Sequence, residues 1–472
     1  MTGAIISVYS RPMSDSNAFS SLGLKPELLS NLAEIDYVEM TLVQAETLPR
    51  LLAGSDVLAR AKTGSGKTAA FGLGVLNKLQ VESFRVQALV LCPTRELADQ
   101  VAREMRRLAR TLPNIKILAL CGGAPIGRQL ASLQHSPHII VGTPGRVLKH
   151  LAKGTVDLGS LQVLVLDEAD RMLDMGFTDE LDAILKYVPA QRQTLLFSAT
   201  YPDAIAAISD RVQRDAIVVD VTGDEEAARI TQYWCEVTRE NRCAGLVSAI
   251  REWGGALNLV FCNTKIDCAE VAGHLKTQGI VGLALHGDLD QDQRNEVLVR
   301  FANRSASVLI ATDVAARGLD VDDVDAVFNY ELPLQPEIYT HRIGRTARAG
   351  KKGLAVSLVE PREVHRLLNI DAAQSDALVQ YPVPESGNDN DALIPTMTTL
   401  QISGGRKNKL RPGDILGTLT ADGGIEGNAV GSIDLLDACC FVAIRSAQAS
   451  AALRQLSGRP IKGRKYRVRI RK

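Results

Sequence analysis

Short apolar runs alternate with amphipathic stretches along most of this chain. In the first half, the runs occupy residues 88–92, 138–142, 163–166 and 194–197. Runs that are apolar at every position fit strands covered on both faces, as in a parallel sheet with helices on each side. A second series predicts another domain of the same kind, at 257–261, 307–311, 326–330 and 355–359. The acidic segment 223–226 between the two series is either a hinge or an ordinary surface loop.

Residues 381–395 are rich in proline and in polar turn residues, which marks a second boundary. Beyond it the pattern predicts a strand at Leu400 and Ile402, a helix over 412–419, strands over 430–435 and 440–444, a helix over 447–456, and a strand at Tyr466, Val468 and Ile470. The order βαββαβ is that of ferredoxin-like and RNA-recognition-motif (RRM) domains. We therefore predict an α/β chain with an extension (1–18), two doubly wound parallel-sheet domains (19–221 and 222–372), a linker (373–395) and an RRM-like domain (396–472).

Composition and charge narrow the class of protein. The 472 residues are 46% hydrophobic and 23% charged, which excludes disordered, collagen-like and coiled-coil chains. The formal net charge is zero, yet residues 396–472 hold 14 Lys or Arg against 5 Asp or Glu, a net +9 that leaves −9 for the remainder. A basic module on an acidic body predicts an anionic partner, nucleic acid or a membrane surface, and a merely solvated tail is the alternative.

The cysteines and the apolar runs bear on the compartment. None of the eight cysteines has zinc-site spacing, so a reducing compartment is expected. No run approaches the roughly 18 apolar residues of a membrane helix, and the apolar stretch 4–8 is too short for a signal peptide. We expect a cytoplasmic monomer without a membrane partner.

A glycine-rich loop lies where a predicted strand meets the start of a helix. Its two glycines permit a tight turn, its backbone N–H groups can surround phosphate oxygens, its lysine can reach the β- and γ-phosphates, and its last hydroxyl can hold Mg²⁺. The residues are Thr63, Gly64, Ser65, Gly66, Lys67 and Thr68. A chance glycine-rich turn is the alternative.

An acidic turn follows the apolar strand 163–166. Asp167 is placed to bind Mg²⁺, and Glu168 to orient and deprotonate the attacking water. An acidic turn that caps a helix would look the same on its own.

Together with Ser198-Ala-Thr200 and the segment 341–348, these motifs resemble the DEAD-box RNA helicases. The resemblance implies two RecA-like domains, ATP and Mg²⁺ as cofactors, RNA as partner, and ATP hydrolysis coupled to local unwinding of short duplexes. An ATP-gated RNA clamp that never separates strands is the alternative. Ser198, Thr200, Asp170 and His341 match positions that couple the nucleotide site to RNA.

The same resemblance implies an adenine site and a set of groups from the second domain. In the adenine-reading motif that begins at Tyr37, Gln44 would recognise adenine and Thr41 would steady the loop, while an aromatic residue such as Phe19 would stack on the base. The family usually has Gly before Tyr37 and Pro after Thr41, where this chain has Asp36 and Leu42. From the second domain, Asp320 would accept a ribose hydroxyl, while Arg345 and Arg348 would be arginine fingers that join Lys67, Asp167 and Glu168 in catalysis.

Further matching positions are implied to contact RNA. They are glycines, hydroxyls, arginines and other small or polar residues, which suit sugar and phosphate contacts without a strong sequence preference. The positions are Pro93, Thr94, Arg95, Gly123, Thr143, Pro144, Gly145, Arg146, Gln291, Arg294 and Thr312. Taken singly, each of them also fits a turn, a helix start or a solvated helix face.

The tail resembles the RNA-binding domain of the bacterial DbpA subgroup of that family, notably over 398–414 and 461–470. This implies binding to a hairpin of the large-subunit (23S) ribosomal RNA and work on 50S assembly intermediates. Phe441 and Tyr466 are the only aromatic residues of the tail, so stacking of bases on its sheet is not expected. The predicted RNA contacts are instead Arg406, Lys407, Lys409 and Arg411, with a second basic face at Arg467, Arg469 and Arg471.

Overall fold

Apolar runs become buried parallel strands in both halves of the chain. The computed structural model describes residues 5–7, 17–61, 64–123, 125–200, 203–221, 230–316, 324–347, 352–374, 377–385, 390–421 and 423–471. These residues form two compact units, one on each side of residue 228. The predicted hinge 223–226 and the predicted site residues Thr63, Asp320 and Arg348 lie outside the described residues.

The first unit is built on a sheet whose described strands are all parallel, in the order β1-β8-β2-β7-β6-β3-β5-β4. The strands are β1 Ile5–Ser7, β2 Val57–Arg60, β3 Ala88–Leu91, β4 Ile117–Leu120, β5 Ile139–Gly142, β6 Val163–Leu166, β7 Gln193–Ser198 and β8 Ile217–Asp220. The helices are α1 Pro26–Glu34, α2 Leu42–Leu52, α3 Lys67–Lys78, α4 Arg95–Leu108, α5 Ile126–Leu133, α6 Pro144–Ala152, α7 Ala169–Asp174, α8 Thr178–Leu185 and α9 Asp203–Val212.

Alternate residues of one strand enter different cores, as a doubly wound sheet requires. In β3, Val90 belongs to one hydrophobic cluster, whereas Leu89 and Leu91 belong to another. Strand β6 divides in the same way, with Val165 on one side and Leu164 on the other. Because both faces are covered, every position of these strands is apolar, which is the pattern visible in the sequence.

The second unit begins with another parallel sheet, in the order β11-β12-β10-β13-β14-β9-β15. Its described strands are β9 Ile230–Glu236, β10 Asn258–Cys262, β11 Gly282–Leu285, β12 Val308–Thr312, β13 Ala326–Asn329, β14 Gly353–Val359 and β15 Val379–Gln380. Its helices are α10 Arg242–Trp253, α11 Lys265–Thr277, α12 Gln291–Ala302, α13 Asp313–Ala316, α14 Pro336–Ile343 and α15 Val364–Ala373.

The segment predicted as a linker takes part in this second sheet. Its two-residue strand β15 pairs with β9, and the ring of Tyr381 packs against Tyr233 and Trp253 with centroids 5.3 and 5.4 Å apart. Turn-rich composition does not reveal so short an edge strand, because its stability comes from ring packing against distant residues.

The C-terminal domain has the predicted order βαββαβ. Its elements are β16 Met397–Ile402, α16 Pro412–Thr420, β17 Val430–Leu435, β18 Cys440–Arg445, α17 Ala449–Gly458 and β19 Val468–Arg471. The sheet is antiparallel, in the order β17-β18-β16-β19, so the predicted fold class is confirmed. Tyr466 stands just outside β19, where its ring lies so close to Gly404 that any side chain at that glycine would collide with it.

One face of this small sheet is closed off by the parallel-sheet domain of the same unit. Thr399, Phe441 and Ala443 share that face and are at most 1% exposed. Asn303 Nδ2 donates to Thr399 Oγ1 at 2.9 Å, and Ser305 Oγ lies 2.8 Å from the same hydroxyl. At the edge, Arg471 pairs with Glu296 of α12 at 2.9 Å. RRM domains commonly stack bases on the corresponding face of their sheet, whereas here the parallel-sheet domain covers it.

The second basic face of the tail stays a prediction, and its Arg471 is engaged by an ion pair. This residue is committed to Glu296, and its Nε is buried. Arg469 donates to Gln401 Oε1 at 2.8 Å within the tail itself. The alternation of arginines along β19 correctly placed Arg469 and Arg471 on one side, but it could not show what covers that side.

Loss of the Thr399 hydroxyl should loosen this interface. In Thr399→Val the buried amide of Asn303 loses a partner, which weakens the contact by about 1–3 kcal/mol. We expect faster hydrogen exchange in β16 and in residues 303–305, measured by mass spectrometry on the full chain. Thr398→Val is the matched control, because the Thr398 hydroxyl bonds to Ser446 at the surface. Equal exchange in wild type and Thr399→Val would contradict the interface.

Candidate functional site

The glycine-rich loop is shaped by two left-handed glycines at the start of α3. Gly64 and Gly66 have φ of +84° and +95°, a conformation that residues with a Cβ rarely adopt. Lys67 opens α3 with its side chain buried, and its Nζ donates to the carbonyl of Ala61 at 2.9 Å. The N-terminus of α3 thus points free N–H groups and a lysine toward one loop, which is a suitable cradle for phosphate.

Thr41 and Gln44 contact this loop directly. Thr41 Oγ1 donates to the carbonyl of Ser65 at 2.7 Å, and Gln44 Nε2 donates to that of Gly66 at 3.2 Å. Gln44 Oε1 also accepts from the Thr41 backbone N–H at 2.9 Å, as part of the capping box that begins α2. Thr41 and Gln44 therefore cap the start of α2 and also form part of the wall of the phosphate loop.

A cavity of about 450 Å³ opens beside these side chains. It is lined by Asp36, Tyr37, Val38, Glu39, Thr41, Gln44, Gly64 and Gly66. Asp36, which stands where the family usually has glycine, has φ +58°, and aspartate tolerates this left-handed conformation better than most residues. Leu42 takes the first helical position of α2, where proline fits well but is not required.

Phe19, which is predicted to stack on adenine, is as deeply buried as Gln44. It is 3% exposed, belongs to the hydrophobic core and faces the ring of Tyr37 with centroids 6.2 Å apart. It does not line the cavity beside Gln44, and its stacking on a base stays a prediction.

The acidic turn follows β6 and is buried. Asp167 is 3% exposed, and burial raises its pKa to about 7 although the charge of Lys67 lowers it. Asp170 is 5% exposed; burial raises its pKa, but the hydrogen bonds from Thr200 outweigh this and leave the pKa lowered. The proximity of Lys67 to Asp167 brings the phosphate loop and the acidic turn into one site.

Asp170 joins that turn to the end of β7. Its Oδ2 accepts from Ala199 N at 3.2 Å, Thr200 N at 3.0 Å and Thr200 Oγ1 at 2.9 Å. Ser198, the last residue of β7, accepts from Ala61 N at 3.0 Å. The predicted coupling residues Asp170, Ser198 and Thr200 are thus brought together with the phosphate loop.

Arg95 lies on the backbone of Gly122 and Gly123. A Cβ built on Gly123 would be 1.9 Å from Arg95 Nη1, and Gly123 itself has φ +79°. The glycine pair therefore makes room for the guanidinium. Thr94 caps α4 by accepting from Leu97 N at 3.3 Å, which fixes where Arg95 begins the helix.

Gln129 connects two predicted RNA-contacting segments, the one that ends at Gly123 and the one that contains Arg146. Sequence reasoning missed this role. The side chain is buried; its Nε2 donates to the carbonyl of Cys121 at 2.9 Å, and its Oε1 accepts from Arg146 Nη1 at 2.7 Å. Arg146 follows Thr143, Pro144 and Gly145 at the start of α6. A glutamine in a short helix carries no sequence signal of such a role.

In the second parallel-sheet domain, a buried arginine, Arg342, connects several segments by hydrogen bonds, as Gln129 does in the first. It is 1% exposed, grips both carboxylate oxygens of Asp313 at 2.7 and 2.8 Å, and donates to Asn263 at 2.8 Å and to Asn329 at 3.1 Å. It thereby joins Asp313, next to Thr312 at the end of β12, to α14, which carries His341 and precedes the buried Arg345. Arg342 stands inside the motif 341–348, but nothing in the sequence distinguishes it from the other arginines of that motif.

Two further predicted RNA contacts, Gln291 and Arg294, lie on α12. Arg294 Nη2 donates to the carbonyl of Ala315 at 2.6 Å, and Gln291 Nε2 donates to Asn295 at 3.1 Å. Arg294 thus reaches the short helix that follows Thr312.

Three family models cover these features. A DEAD/DEAH box helicase model matches residues 41–208, a helicase conserved C-terminal domain matches 244–350, and a DbpA RNA binding domain matches 399–470. The chain is 53% identical over 456 residues to the ATP-dependent RNA helicase DbpA of Escherichia coli, covering 96% of this chain and all of that protein. The chain belongs to the DEAD-box RNA helicases. As a DEAD-box protein it is an RNA-dependent ATPase and helicase, built from two RecA-like domains and an RRM-like domain.

Other relatives share the two-domain helicase region. The DEAD-box helicase CshA of Geobacillus kaustophilus is 44% identical over 354 residues, which is 75% of this chain and 76% of that protein. Among solved structures, S. cerevisiae Dbp5 bound to RNA and ADP BeF3 aligns with 78% of this chain and 96% of its own, at 30% identity and a TM-score of 0.71. No helix in the described part of this helicase is long and apolar enough to span a bilayer.

Filling the space beside Arg95 should weaken RNA binding. In Gly123→Ala the new methyl group displaces the guanidinium and strains a left-handed residue, so we expect RNA affinity to fall by about tenfold, the value of one charged hydrogen bond. Gly127→Ala is the matched control, since a Cβ there meets nothing within 4 Å. The measurement is fluorescence anisotropy of a labelled single-stranded RNA with a non-hydrolysable ATP analogue. An equal loss of affinity in both variants would refute the role of the glycine pair.

Proposed function

We propose that residues 396–472 direct this helicase to the large-subunit (23S) ribosomal RNA, where ATP hydrolysis drives local unwinding of short duplexes during 50S assembly in the cytoplasm. The observation that carries the proposal is the match of a DbpA RNA binding domain to 399–470, in a chain that resembles E. coli DbpA over its whole length. The net charge of +9 on these residues supports an RNA partner.

The exposed basic residues of the tail offer a surface for a hairpin of the 23S ribosomal RNA. Arg406, Lys407, Lys409 and Arg411 are all exposed, on a short 3₁₀ turn and on the loop that leads into α16. Lys462 Nζ donates to the carbonyl of Lys409 at 3.0 Å, which brings a second basic turn beside the first. Because the face of the sheet opposite its helices is packed against α12 and residues 303–305, this basic edge is the better candidate for contact with the ribosomal RNA.

At the nucleotide site we propose that Lys67 binds the β- and γ-phosphates and that Gln44 recognises adenine. Asp167 and Thr68 fit Mg²⁺, which prefers oxygen ligands and takes few from protein when phosphates and waters supply the rest. The buried carboxylate of Asp167 close to Lys67 supports this assignment. Bound Mg²⁺ would neutralise charge on the phosphates.

In the hydrolysis step, Glu168 orients the attacking water and accepts its proton. Arg345 and Arg348 stabilise charge on the transferring phosphoryl group. The coupling residues connect this chemistry to RNA: Thr200, just after β7, bonds to Asp170, and the carbonyl of Ser198 accepts from Ala61 N beside the phosphate loop.

The RNA-contacting set grips the sugar-phosphate backbone. We propose that Arg95 and Arg146 contact phosphates in the first domain and that Gln291, Arg294 and Thr312 do so in the second. Backbone contacts of this kind carry no sequence information, so the choice of RNA falls to the tail.

Removal of charge at the basic loop should therefore reduce preference for ribosomal RNA. We expect Lys407→Gln/Arg411→Gln to weaken activation of the ATPase by a 23S hairpin fragment by about tenfold, with little change for an unrelated hairpin. Arg445→Gln/Arg454→Gln removes the same charge from other exposed tail positions and is the control. The measurement is the RNA concentration at half-maximal ATPase rate; equal effects of both variants on both RNAs would defeat the targeting proposal.

A further inference from the structure

We propose that Arg171 is a positioning residue for ATP hydrolysis, which fixes one oxygen of Glu168 and leaves the other for the attacking water. The inference rests on the proposed role of Glu168 as general base. Arg171 Nη1 donates to Glu168 Oε2 at 2.8 Å, and both side chains are only 7% exposed. A charge-assisted bond that is shielded from water in this way is strong enough to hold a side chain in one orientation.

The backbone on both sides of Glu168 is already fixed. Glu168 has φ +52°, a left-handed conformation, and stands immediately before α7. Asp167 N donates to the carbonyl of Leu91 at 3.0 Å, and Met172 N donates to that of Glu168 at 3.1 Å. With the main chain held, the orientation of the carboxylate depends on its side-chain torsions, and Arg171 is the group that restrains them.

Each carboxylate of the acidic turn has its own compensating group. Asp167 lies near the charge of Lys67, and Asp170 accepts three hydrogen bonds from Ala199 and Thr200. Among the described residues, Arg171 is the ion-pair partner of Glu168. Two neighbouring carboxylates would repel Glu168 out of the site, and an arginine inside the same turn counteracts them.

The pair leaves one oxygen for chemistry. Glu168 Oε1 accepts no hydrogen bond within the part of the chain that the structure describes, whereas Oε2 is engaged by Arg171. Arginine has donors only and stays protonated, so it cannot take the proton itself. In hydrolysis the water oxygen bonds to the γ-phosphorus, the bond from that phosphorus to ADP breaks, and the water proton passes to Glu168.

The test combines Arg171 and Glu168 variants of the full-length protein. At saturating ATP and RNA, Arg171→Met should lower kcat by about tenfold or more, a part of the roughly 10²–10⁴-fold that a positioned base contributes, with KM for ATP within about twofold. Arg171→Lys should recover part of kcat, since it keeps a cation but not the planar fork. Arg211→Met, which breaks the surface pair with Asp182, is the control and should leave kcat unchanged.

A double-mutant cycle separates positioning from general structural damage. In a Glu168→Gln background, Arg171→Met should cause no further loss of the residual turnover, because both changes remove one function. Independent, multiplicative losses would overturn the proposal, as would a kcat for Arg171→Met within twofold of wild type. If Arg171→Met fails to fold, the same cycle is run with Arg171→Lys. Normal turnover in Glu168→Gln alone would instead remove the proposed role of Glu168.

Discussion

Three carboxylates within four residues lie buried at the end of one strand, and the nucleotide site depends on how their charges are compensated. Asp167, Glu168 and Asp170 are each at most 5% exposed. Buried charges are tolerated only when they are paired or hydrogen-bonded, so the turn must recruit partners from elsewhere in the fold. Those partners are Lys67 from the phosphate loop, the backbone and hydroxyl of Thr200 just after β7, and Arg171 from the first turn of α7. The same compensation therefore draws the motifs of the first domain into one place.

The charges of the chain are divided between an acidic helicase region and a basic tail. The acidic body contains the buried carboxylates of the candidate site, while the basic tail carries a net +9. The RRM-like sheet packs through Thr399 against Asn303 and Ser305, so the face opposite its helices attaches it to the second parallel-sheet domain. The basic residues Arg406, Lys407, Lys409 and Arg411 lie outside this packed face and stay exposed. A net charge of zero conceals both parts.

Much of the fold was predictable because local patterns determine it. Runs apolar at every position gave β3 and β6, and turn-bounded segments gave the βαββαβ tail to within a few residues. The phosphate loop was recognisable because glycine at a left-handed position leaves a signature, as at Gly64 and Gly66. Asp36 shows the limit of such signatures, since a non-glycine residue adopts the same conformation there.

Contacts between side chains that are distant along the chain could not be predicted. Gln129, Arg342 and the Thr399 interface all depend on which buried polar group meets which, and hydrophobic periodicity contains no information on that. The arginines of β19 show the consequence, because their alternation predicts a shared side and does not show that Glu296 meets Arg471 there.

The most direct test is ATP hydrolysis by Glu168→Gln, measured beside ATP-dependent RNA binding by the same protein. We expect hydrolysis to fall by at least about 100-fold while RNA binding is retained; hydrolysis at the wild-type rate would contradict the proposed role of Glu168.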